Sequence, residues 1–100
     1  MEKIWLKQYP PGVPAEIEVN EYESLRDVFE ESVAKYASRR AFAGMGKWIT
    51  FAELDTLSAA FGAWLQGIGG GKGTRVALMM PNILQYPVCL FGTLRAGATV

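Results

Sequence analysis

One hundred residues, half of them apolar and 20% charged, fall within the composition of a globular chain and leave room for one domain at most. Ten Lys and Arg balance ten Asp and Glu, so the net charge is zero and the positive field that gathers a phosphate backbone is excluded. There is no histidine and only one cysteine, Cys89, which excludes an internal disulfide, a His/Cys metal site and a histidine-activated nucleophile. Cys89 lies in an apolar run and is expected to be a small buried hydrophobe.

The N-terminus lacks an apolar stretch followed by a small-residue cleavage site, so no secretory signal is read and the cytoplasm is the default compartment. Residues 1–23 read as an extended arm. Tyr9-Pro10-Pro11-Gly12-Val13-Pro14 lacks the donors and torsions of a helix or a central strand. The alternation of Ile17 and Val19 with Glu16, Glu18 and Asn20 fits a short edge strand. Ile4, Trp5, Leu6 and Tyr9 carry more apolar surface than a free tail tolerates, and the arm is therefore expected to dock elsewhere.

Ser24 is the N-cap of the first helix, whose positions Leu25, Val28, Phe29, Ser32, Val33 and Tyr36 follow the i, i+3, i+4, i+7 rhythm of one buried face. Asp27, Glu30 and Glu31 fall early and Lys35, Arg39 and Arg40 late, which suits the helix dipole. Glu31 and Lys35 are spaced as an i,i+4 pair. Ala41 to Gly44 and Lys47 to Thr50, separated by Met45-Gly46, predict a small hairpin. Thr50-Phe51-Ala52-Glu53 is a capping box that opens a second helix, with Leu54, Leu57, Ser58, Phe61, Trp64, Leu65 and Ile68 on its stripe. Gly67 and Gly69 to Gly71 end it.

Arg75 to Met80 is an unbroken apolar run of strand length, predicting a parallel-sheet strand covered on both faces. Asn82 is placed to cap a third helix carrying Ile83, Leu84, Val88, Leu90, Phe91 and Leu94. Pro87 near its first turn removes one hydrogen bond at most. Ala98-Thr99-Val100 opens a further strand, so strand, helix and returning strand begin a βαβ crossover. No charge occurs from Val76 to Leu94, but Pro81, Gln85 and Pro87 divide that stretch into pieces too short to span a bilayer. The fold class expected is α/β: two amphipathic helices, a hairpin and the start of a parallel βαβ sheet. A last strand of three residues is shorter than the usual five or six, which leads to the expectation of a chain cut from a larger domain.

The cluster Gly67-Ile68-Gly69-Gly70-Gly71-Lys72-Gly73-Thr74 invites a phosphate-binding reading and fails on spacing. A Walker A loop needs Gly where Gln66 stands and Ser or Thr where Gly73 stands, and no placement of G-x-G-x-x-G fits. The direction is also opposite, since the loop leads from helix to strand. It reads as a helix stop and a flexible turn. Trp5, Trp48 and Trp64 fall on an arm, a hairpin and a helix stripe, where packing or docking accounts for them better than stacking on bases or sugars.

Longer strings add a resemblance. Thr50-Phe51-Ala52-Glu53-Leu54, Gly73-Thr74-Arg75-Val76-Ala77-Leu78-Met79-Met80-Pro81-Asn82 and Leu94-Arg95-Ala96-Gly97-Ala98 resemble successive landmarks at the start of the adenylate-forming superfamily. The opening Tyr9 to Ile17, with Val28 to Val33 and Leu84 to Val88, resembles the bacterial long-chain fatty-acid CoA ligases. Thr74 stands where the family usually has Asp, and the three glycines before Lys72 are looser than its usual loop.

The resemblance implies residues 1–23 as an N-terminal arm and 24–100 as the first part of the large N-terminal adenylate-forming (AMP-binding) domain, truncated at 100. It implies a parent enzyme that activates a fatty acid with ATP and Mg2+ to an acyl-adenylate and passes the acyl group to CoA. It also implies a homodimer in the cytoplasm, with peripheral contact at the inner face of the cell membrane. The family's phosphate loop, ribose-binding Asp and late catalytic Lys all follow later in family order. No catalytic, cofactor-binding or metal residue is therefore assigned within 1–100, and no ATP, Mg2+ or CoA is expected to bind this stretch alone. The rival readings are another acyl- or aryl-CoA synthetase of the superfamily and a small non-enzymatic α/β interaction module.

Overall fold

The computed structural model describes all residues from 1 to 100. Helix α1 spans Leu25–Tyr36, strands β1 and β2 span Arg40–Gly44 and Lys47–Thr50, and helices α2 and α3 span Phe51–Gly67 and Gln85–Arg95. Within the arm, Ile4–Gln8 forms a single 3₁₀ turn with no buried residue. The edge strand expected around Ile17 and Val19 is absent; both side chains are exposed, because no unpaired strand lies beside them to supply ladder partners.

Local signals set most of the element ends. Ser24 caps α1 by accepting the Asp27 N–H at 3.2 Å. Thr50 Oγ1 accepts the Glu53 N–H at 3.1 Å while Glu53 Oε2 accepts the Thr50 N–H at 2.9 Å, so both halves of the capping box are present. At the other end of α2, Gly69 adopts φ +93° and its N–H donates to Gln66, while the Gly70 N–H donates to Leu65. This is a Schellman stop, and the left-handed residue it requires is glycine. The β1–β2 turn has positive φ at both central residues, 51° for Met45 and 75° for Gly46, as the twist of a two-residue hairpin demands.

Two apolar clusters hold the elements together. Phe29, Val33, Ile49 and Leu54 form the first, flanked by Phe51, Leu84 and Phe91; the rings of Phe29 and Phe91 stack with centroids 4.2 Å apart. Leu65, Ala96 and Ala98 form the second, against Phe61 and Val76. Between the clusters α2 and α3 cross at glycines. A Cβ on Gly62 would lie 2.9 Å from the Gly92 carbonyl oxygen, and one on Gly92 would lie 2.8 Å from the Ser58 carbonyl oxygen. Arg95 locks the crossing: its Nη1 donates to Asp55 Oδ1 at 2.7 Å, to the Asp55 carbonyl at 2.9 Å and to Ser58 Oγ at 3.0 Å.

This crossing corrects the stripe expected on α2. The buried line runs Leu54, Ser58, Gly62 and Leu65, whereas Leu57, Trp64 and Ile68 are exposed. Small residues let the backbones approach, so the face carrying them, and not the bulkier one, turns inward. On α1, Leu25 is likewise exposed, at the helix end away from the core. Glu31 and Lys35 form no ion pair: Lys35 Nζ stands 5.4 Å above the Tyr36 ring, and the i,i+4 contact on this helix is Arg26 with Glu30 at 3.9 Å.

The third helix begins later than its expected cap. Asn82 caps nothing; the N-cap is Leu84, without a side-chain bond, after a bend in which the Ile83 N–H donates to the Pro81 carbonyl. Pro87 then falls on the third helical residue, whose N–H has no partner inside a helix in any case.

Arg75 to Met80 runs extended but forms one parallel bridge, Arg75 to Thr99, with N–H···O distances of 2.8 Å from Val76 to Thr99 and from Thr99 to Thr74. The bridge closes the expected βαβ crossover around α3. Coverage on both faces is not met within these residues: Val76, Leu78 and Met80 are half-buried, while Ala77 is exposed and Met79 is 98% exposed. A ladder needs neighbours of matching length, and only Ala98 to Val100 lie alongside.

Replacing Gly92 with alanine is expected to cost about 1–3 kcal/mol, because the new methyl meets the backbone of α2. Gly67→Ala, in open space at the end of the same helix pair, is expected to be neutral or stabilising by up to about 1 kcal/mol. Urea unfolding of the two variants checks the contrast.

Candidate functional site

Three features of the surface have the shape or composition of a site. The largest is an open groove of about 800 Å³ between β2, α2 and α3, floored by Ile49, Leu84 and Val88 and walled by Trp48 and Leu57. Its polar rim is sparse. Lys47 and Gln85 reach it, while the Glu53 carboxylate is already occupied by the Thr50 N–H. Such a lining binds apolar matter and offers no general acid, nucleophile or metal ligand. A smaller, more enclosed depression of about 290 Å³ lies across Leu84, lined by Phe42, Ile83, Pro87 and Leu90.

The second feature is the glycine loop. The N–H groups of Gly69 and Gly70 close the end of α2, and the Gly71 N–H donates to Thr74 Oγ1 at 3.1 Å. A phosphate cradle needs several convergent free amides. Here three successive ones are turned inward to the loop itself.

Cys89 is the third. It is half-buried on α3, so it is less enclosed than its apolar surroundings suggest, and burial pushes its thiol pKa up. No histidine or cation activates it. The Tyr22 phenol is also raised, first by the charge of Glu31 and then by that of Glu21, which marks an acidic surface rather than a site. No group of three or more His, Cys, Asp and Glu side chains converges as a metal centre, and no helix is long and apolar enough to cross a membrane.

The one polar constellation not anticipated from the sequence is Arg95 with Asp55 and Ser58, with the guanidinium 5.5 Å from the centre of the Phe29 ring. Every donor–acceptor pair in it lies within the α2–α3 seam, and its work is to join helices. A sequence signal existed only in part: a charged residue at the end of an apolar helix asks for a polar partner without naming one 40 positions away.

The architecture of capped helix, hairpin, capping-box helix and βαβ crossover is shared with known proteins. The AMP-binding enzyme family matches residues 29–100, and the chain belongs to that family. It is 58% identical along its whole length to the long-chain-fatty-acid–CoA ligase of Escherichia coli O157:H7 and 34% identical over 99% of its length to that of Bacillus subtilis strain 168; it spans 18% of each of those relatives. Among solved structures, fatty acyl-adenylate ligase from L. pneumophila, in complex with acyl adenylate and pyrophosphate, superposes with a TM-score of 0.70 at 25% identity, covering 83% of this chain and 16% of that one. Mycobacterium smegmatis MbtA gives 0.70 at 35% identity over 74% of this chain and 14% of its own. The resemblance drawn from Thr50 to Leu54, Gly73 to Asn82 and Leu94 to Ala98 is thus borne out, as is the α/β class.

Calorimetry of residues 1–100 with ATP is expected to show no saturable binding tighter than about 100 μM, the level below which a built site announces itself with more than roughly 5 kcal/mol. Alkylation of Cys89 by iodoacetamide is expected to follow a pH–rate profile whose midpoint lies above the usual thiol value of about 8.5, since a raised pKa means less thiolate at any given pH. A midpoint at or below that value would show that the thiol is not desolvated.

Proposed function

We propose that residues 1–100 are the opening portion of a long-chain fatty-acid CoA ligase. The carrying observation is the 58% identity along the whole chain to ligases of that name. On this reading the whole enzyme condenses a fatty-acid carboxylate with Mg-ATP, releases pyrophosphate and transfers the acyl group from the adenylate to the thiol of CoA. Residues 24–100 begin its AMP-binding domain, and residues 1–23 are an arm that docks on the partner subunit of a homodimer. The enzyme works in the cytoplasm, in contact with the inner face of the membrane.

The role of residues 24–100 is to build and not to react. The helix pair α2–α3 supports the segment Arg75 to Met80, which forms one parallel bridge and whose exposed Ala77 and Met79 side would pack against further sheet. Groups that bind ATP and fatty acid then belong to the rest of the enzyme, held on a sheet that this portion anchors.

Full-length enzyme incubated with palmitate or oleate, ATP, Mg2+ and CoA is expected to form acyl-CoA and pyrophosphate, with no product when any one component is omitted. An enzyme that activated aryl or amino acids and ignored both fatty acids would reject the substrate class and keep the family.

A further inference from the structure

We draw no further inference here: the strongest candidate, the open apolar groove between β2, α2 and α3 lined by Trp48, Ile49, Leu57, Leu84 and Val88, carries nothing, because nothing in the structure shows what covers it.

Discussion

The close crossing of α2 and α3 is the constraint on which the other contacts depend. Gly62 and Gly92 face each other with no room for a methyl, and the approach they permit brings Arg95 onto Asp55 and Ser58. Once the helices are that near, Phe91 reaches Phe29 and draws α1 onto the pair, and Ala96 and Ala98 meet Leu65 and position the Arg75 to Met80 segment. The ion pair is only partly shielded, with Arg95 22% and Asp55 43% exposed, so its net contribution is modest and its worth is chiefly geometric. The guanidinium donates to a helix carbonyl, a carboxylate and a hydroxyl at once, and those three acceptor positions are compatible with a narrow range of helix offsets.

A consequence is an uneven surface. The inward flank of α2 sets the small residues Ser58 and Gly62 between Leu54 and Leu65, while Leu57, Trp64 and Ile68 are turned outward. The radius of gyration is 17.0 Å, against about 13 Å for a compact chain of this length, reflecting the outlying arm and the open sheet edge. Only 12 of 100 residues are buried, too few for the apolar half of the composition, and much of the remaining apolar surface is disposed to meet other matter. The chain spans 18% of the length of the ligase relatives it matches.

That disposition separates chemistry from scaffold. The glycine loop, the strongest phosphate-like signal in the sequence, uses its amides to end α2 and brace its own turn. The groove beside β2 is apolar with its one carboxylate engaged, and Cys89 is desolvated. Each of these can hold structure or touch an apolar partner, and none presents an activated group to a substrate.

Much of the fold was legible in sequence because it is decided within a few residues. Ser24, Thr50 with Glu53, Met45-Gly46 and Gly69 each satisfy or redirect backbone groups no more than four positions away, and the hairpin and the ends of α1 and α2 fall where these local bonds require. The family was legible for a different reason, since strings such as Gly73 to Asn82 are specific in order as well as in type. What only the tertiary structure decided is which faces meet. Periodicity marked Leu57 and Trp64 as core because it weighs apolarity alone, whereas steric access at Gly62 and Gly92 rewards the smaller face with closer approach. Asn82 remained outside the helix it was suited to cap, and Arg75 to Met80 remained a bridge rather than a ladder, because a strand exists only where a neighbour of sufficient length supplies the bonds. The Arg95–Asp55 lock, spanning 40 positions, could be known only once the helices had crossed.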